Sequence, residues 1–154
     1  MRKVVINSCF GGFSLSPLAE KMYFEKKNPG KTVYFYKRHY MGSDQKFTRL
    51  DEKNPRGHFI DLMSEDFGPE FMITKEDRDN KTEFYKKFSD AFIYFDYDVR
   101  HDPDLIEVVE LLGPEADGEC SSLQIIDIGD KLYRIEEYDG KETLITPDDE
   151  YDWL

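Results

Sequence analysis

The most chemically suggestive stretch of this chain is its first turn. The run Val4-Val5-Ile6 leads into Asn7-Ser8-Cys9-Phe10-Gly11-Gly12-Phe13-Ser14. A strand that passes through glycines into a capped helix presents free backbone N–H groups to an anion. The spacing is neither G-x-G-x-x-G nor a P-loop, because no Gly-Lys-Ser/Thr follows. A tight strand-to-helix turn accounts for the same glycines through their tolerance of positive φ. Cys9 ends that strand, where a helix N-terminus stabilises a thiolate. A nucleophile also needs a base, and only His39, His58 and His101 are available. A buried structural cysteine is therefore the simpler reading.

A second group lies in the next apolar run. Tyr34, Phe35, Tyr36 and Tyr40 are interleaved with Lys37, Arg38 and His39. Bases stack on aromatic faces and phosphates pair with Arg or Lys, so this pattern suits a nucleotide; ordinary strand composition with one buried face gives the same pattern. Asp96, Asp98, His101, Asp102 and Asp104 are rich in oxygen ligands, but they lack the glycine and distal Glu of an EF-hand loop. Asp102 is more simply a helix cap, and no metal site is expected. Glu136, Glu137, Asp139 and Glu142 flank a hairpin and read as the solvated face of an edge strand rather than an acid–base pair.

Charge sharpens the choice. The 154 residues carry 21 Lys and Arg against 33 Asp and Glu, a formal charge of −12. Up to position 58 there are twelve basic and five acidic residues (+7); beyond it there are nine and twenty-eight (−19). Either the two parts attract one another and set the packing, or the basic part frames an anion site. The −19 portion opposes any long nucleic acid. An aromatic content of 15% argues against a disordered acidic tail. No window is apolar enough for a membrane helix, and the N-terminus lacks a cleavable leader. Two cysteines give no disulfide framework and indicate a reducing, cytoplasmic setting.

These residues must be positioned by a small set of elements. Lys3–Asn7 reads as a strand, followed by a helix capped by Ser14 or Ser16, with Pro17 in its first turn and a stop at Asn28-Pro29-Gly30. Residues 31–38 form an aromatic strand, and 39–57 a long polar loop of the kind that carries function. Short strands are expected at 58–62 and 71–74, helical spacing within 76–89, and a strong strand at 91–95. Asp102 caps a helix with Pro103 at its first position and Leu105, Val108, Val109 and Leu112 on one face, ended by Gly113-Pro114. Residues 123–128, 132–138 and 141–146 make an antiparallel meander turned by Gly129-Asp130 and Asp139-Gly140. Trp153 would anchor an acidic tail. The whole reads as one α+β domain, 1–154, with an N-terminal strand–helix–strand and a C-terminal meander covered by a helix on one face.

The opening Val4-Val5-Ile6-Asn7-Ser8-Cys9-Phe10-Gly11-Gly12-Phe13-Ser14-Leu15-Ser16, with Asp102-Pro103-Asp104-Leu105-Ile106, Leu112-Gly113, Glu115-Ala116-Asp117-Gly118 and Ile135-Glu136-Glu137-Tyr138-Asp139-Gly140, resembles a family of small, largely uncharacterised proteins of tailed bacteriophages. The stretch from about 38 to 90 is longer than that family implies. The resemblance implies action in a bacterial host cytoplasm, as a counter-defence factor. Joined to the charge pattern, it gives a first expectation: a non-catalytic protein that sequesters a small anionic nucleotide-type signal without a cofactor. Its ligand contacts would be Gly11, Gly12, Ser14, Arg38, His39, Arg49 and Arg56. The alternative is an acidic inhibitor of a host protein. An enzyme ranks behind both, because no nucleophile–base or metal set stands out. A homo-oligomer is compatible with either.

Overall fold

A computed structural model describes residues 2–148. β1 (Arg2–Asn7) is followed by α1 (Pro17–Lys27), then by β2 (Tyr34–Met41), β3 (Asp44–Leu50), β4 (Ile60–Met63) and β5 (Glu70–Ile73). Two short helices come next, α2 (Lys75–Asn80) and α3 (Glu83–Ala91), and then α4 (Pro103–Leu112) with a 3₁₀ turn at Gly113–Ala116. Three strands close the described chain: β6 (Leu123–Gly129), β7 (Arg134–Tyr138) and β8 (Lys141–Ile145). The class is α+β, as expected.

The helix ends follow their local chemistry. Ser16, not Ser14, caps α1 by accepting from the Ala19 amide, with Pro17 in the first turn. Asp102 caps α4 through the Asp104 amide. Thr74 and Asp77 form a reciprocal capping box that starts α2.

The central sheet is antiparallel, in the order β4-β2-β3-β5. It corrects the expectation of a polar loop over 39–57. β2 runs on to Met41, turns at Gly42-Ser43, and returns as β3 with Arg38 opposite Phe47 and His39 opposite Lys46. The segment is polar because these strands have largely solvated side chains beyond Tyr36; only Phe47 of β3 is fully buried. The strand expected at 91–95 is a second correction. Its apolar residues cap the edge of β4 through one bridge, Met63 to Phe92, and continue as extended chain. Within the C-terminal region β6 pairs antiparallel with β1, Val5 opposite Ile125, while β7 and β8 form their own hairpin. The expected Trp153 anchor lies outside the described residues.

Burial explains the arrangement. Tyr36, Phe47, Phe71 and Phe88 pack the α3 side of the central sheet, with the Phe47 and Phe71 rings stacked at 4.7 Å. On the other side Val33, Phe35 and Leu62 meet Phe24 of α1. Val5, Leu15, Ala19, Leu105, Val108 and Val109 join β1, α1 and α4 in a further cluster. Helix α1 thus contributes to two cores at once. No helix among the described residues is long and apolar enough to cross a membrane.

Candidate functional site

The seven residues expected to meet a ligand do not converge on one place. The glycine turn is packed against the β7–β8 hairpin. Gly11 donates its amide to the Asp139 carbonyl at 3.1 Å. A Cβ on Gly140 would stand 2.1 Å from the Gly12 nitrogen, and one on Gly11 would stand 2.6 Å from the Cys120 Cβ. These glycines allow three backbone segments to touch, which is the tight-turn reading of the motif.

Two of the three arginines are held by carboxylates. Arg38 donates from Nε and one terminal nitrogen to Asp61, at 2.8 and 2.6 Å, and from the other to the Tyr40 hydroxyl. Burial pushes the Asp61 carboxyl up, against the pull of Arg38. Arg49 donates to both oxygens of Asp66, at 2.8 and 3.0 Å. His39 is exposed on β2. The first 58 residues are in fact laced to the rest: Lys3 to Glu110, Lys26 to Glu107, Lys27 to Asp102 and Asp104, and Lys46 to Glu70. Part of the charge asymmetry of the sequence thus goes into packing, Arg38 and Arg49 included.

Arg56 and Ser14 do meet. They line a cleft of about 260 Å³ with Leu15, Pro17, Glu20, Ile60, Leu62, Tyr97, Gly118 and Glu119. Arg56 lies on the connection between β3 and β4 and donates one terminal nitrogen to the Asp117 carbonyl at 2.6 Å. Among the described residues its guanidinium makes no other hydrogen bond. Lys37 reaches the same loop, donating to the His58 carbonyl.

The cleft is also lined by Glu20, in the first turn of α1. Tyr97 donates its hydroxyl to the Glu20 carboxyl at 3.1 Å. Desolvation raises this carboxyl from 4.5 to about 7, and the Tyr97 hydrogen bond only partly offsets that. Tyr97 is pushed up in turn, by its own burial and by Glu20. Near neutral pH the cleft therefore offers a carboxyl that both donates and accepts, a phenol, a serine hydroxyl and a guanidinium. A perturbed acid in a concave site marks a functional candidate.

Other clefts are less suited to an anion. One of about 910 Å³, between the start of β2 and α3, alternates Lys31, Lys86 and Lys87 with Glu65, Asp66, Glu83 and Asp90. Among the described residues no group of three or more His, Cys, Asp or Glu side chains is placed to hold a metal ion. Asp102 is occupied by Tyr23, Lys27 and its own helix cap. Glu142 departs from the edge-strand reading: it is buried, and Arg100 clamps it at 2.6 and 2.7 Å while stacking on Phe13 with its guanidinium carbon 3.6 Å from the ring centre.

Sequence reasoning passed over Glu20 and Tyr97. Glu20 stands three residues after Pro17 in a helix start, and its partner lies 77 positions away. The only local signal was a carboxylate one turn after Ser16-Pro17 with apolar neighbours. Comparisons with protein-family models, curated proteins and solved structures return no match.

Proposed function

We propose that this chain is a non-catalytic binding protein for a small anionic ligand of nucleotide type, held at the Arg56–Glu20 cleft. The observation that carries the reading is the juxtaposition, in one concavity, of a guanidinium with open hydrogen-bonding positions and the Glu20–Tyr97 pair. At about 260 Å³ the cleft is smaller than a typical drug-sized pocket and admits a single ring. A planar polar edge meets Glu20, Tyr97 and Ser14, while a phosphate stays at the mouth with Arg56 and Lys37. The bacteriophage resemblance supplies the setting: sequestration of a host nucleotide signal, in the host cytoplasm, as counter-defence.

Calorimetric titration against cyclic dinucleotides and ADP-ribose derivatives tests this directly. Arg56→Ala is expected to weaken binding by about 10- to 100-fold, the weight of a charge-assisted hydrogen bond. Arg38→Ala and Arg49→Ala should leave affinity within about twofold, because both guanidiniums already serve carboxylates. No binding by any of these nucleotides, or equal losses at all three arginines, refutes the site.

The charge distribution favours a second reading, an acidic inhibitor of a host protein. With Lys3, Lys26, Lys27, Arg38, Lys46 and Arg49 paired to acids of the later part, the large acidic excess of the whole chain dominates its surface charge. Such an inhibitor captures one protein from bacterial lysate, releases it at high salt, and loses it to a competing polyanion such as heparin.

A further inference from the structure

The two cysteines lie 111 positions apart in sequence and side by side in the fold. β1 pairs with β6 as far as Asn7 opposite Leu123. Beyond that register the strands stay tied: the Ser8 amide and hydroxyl both donate to the Ser122 carbonyl, at 2.8 and 3.0 Å, and Asn7 Oδ1 accepts from the Ser122 amide at 2.9 Å. Continued past its last pair, this register sets Ser121 opposite Cys9, with Cys120 one position further past the end of β1. The Cys9 Sγ is 3.2 Å from the Cys120 carbonyl oxygen. The Cys120 Cβ turns toward the same glycine turn, where a Cβ on Gly11 would stand 2.6 Å from it. Cys120 is exposed and Cys9 partly buried, and both are free thiols.

We propose that Cys9 and Cys120 form a reversible intramolecular disulfide, an oxidative modification site that the fold prepares by folding the Cys120 backbone against the Cys9 thiol rather than by sequence proximity. The co-reactant is a low-molecular-weight disulfide such as oxidised glutathione. The exposed Cys120, as thiolate, attacks one glutathione sulfur and displaces the other as a thiolate. Cys9, also as thiolate, then attacks Cys120 Sγ in the mixed disulfide and expels the second glutathione. The two protons shed by the protein thiols pass to the two departing thiolates. One protein disulfide forms, and one oxidised glutathione becomes two reduced ones. The bond ties the end of β1 to the segment 117–122, whose Gly118 and Glu119 wall the Arg56–Glu20 cleft. Oxidation therefore stiffens one side of that cleft, although the modification itself stands independently of what the cleft binds.

Incubating the intact chain in glutathione buffers of graded redox ratio, followed by intact-mass and peptide-mass analysis, tests the assignment. The expected product has lost two hydrogens, yields a Cys9–Cys120 linked peptide, melts at a higher temperature than the thiol form, and reverts with dithiothreitol. Cys9→Ser lacks the second thiol and should instead stop at a stable glutathione adduct on Cys120. A wild-type chain that accumulates the Cys120 adduct overturns the proposal. So does one that cross-links to a second chain, or whose linked form melts no higher than its thiol form.

Discussion

Glu20 shows how one residue changes meaning with its surroundings. An exposed Glu in a first helical turn stabilises the positive end of the dipole as an anion. Here desolvation makes the neutral form the favoured one and holds the carboxyl at about 7. Its folded value lies above its unfolded value, so the folded state retains a proton that the unfolded state releases between about 4.5 and 7. Stability from this residue is fully present below that window and declines as pH rises through it. Glu20→Gln keeps a neutral side chain at every pH. It should remove that decline and stabilise the protein at pH 8 by about 1–3 kcal/mol. Urea unfolding of wild type and variant at pH 5 and pH 8 reads the difference; equal slopes with pH would place the Glu20 carboxyl in solvent.

At the scale of elements, the hairpin and helix of the C-terminal half are scaffold. Gly140 has φ of +85° and its missing Cβ leaves room for the Gly12 amide. Gly140→Ala meets both a left-handed backbone and a backbone collision and should cost at least about 2 kcal/mol. Val109 is buried between α4 and its neighbours. Val109→Ala should cost about 1–2.5 kcal/mol through a small cavity, with unchanged ligand affinity. The Arg100–Glu142 clamp fixes the extended chain before α4 to β8, and the Asn7 amide also donates to Glu142, at 2.8 Å. Arg100→Met strands a buried carboxylate and should cost about 3–5 kcal/mol, and adding Glu142→Gln should recover part of that. A chemical-denaturation cycle over these two positions measures the coupling; additive losses would mean that the pair is solvated.

Across the whole molecule, α1 is the member shared between cores. Ala19, Met22 and Tyr23 face the cluster with α4, while Phe24 faces the central sheet. The connection after β3 adds Asn54, which accepts from the Leu18 amide and donates to the Glu115 carbonyl. Unfolding is expected to be a single transition, coincident by far-ultraviolet circular dichroism and by aromatic absorbance. Two separated transitions would show that the central sheet melts independently of β1, α1 and α4.

Local rules carried the sequence far where a residue's neighbours along the chain decide its state. Ser16-Pro17 and Asp102-Pro103 start their helices as the capping rules require, and Asp139-Gly140 turns its hairpin, with Asp139 at φ of +51°. The α+β class followed from the order of such elements. The pattern misled where pairing is decided across space. Polar residues 39–50 looked like a loop because period-2 burial fades when the strands extend beyond the core, yet backbone hydrogen bonds still pair them. The apolar run at 91–95 looked like a strand because it is β-branched and aromatic, yet its backbone finds only an edge and Tyr94 points into solvent. The site divides in the same way. Arg56 and Ser14 were legible as a cation and a hydroxyl, whereas Arg38 and Arg49 were indistinguishable from it until Asp61 and Asp66 arrived from other strands and turns. Composition and periodicity determined which residues were charged, buried or turning. Only tertiary structure decided which charges were already neutralised, because ion pairing and desolvation depend on distances that sequence separation does not encode.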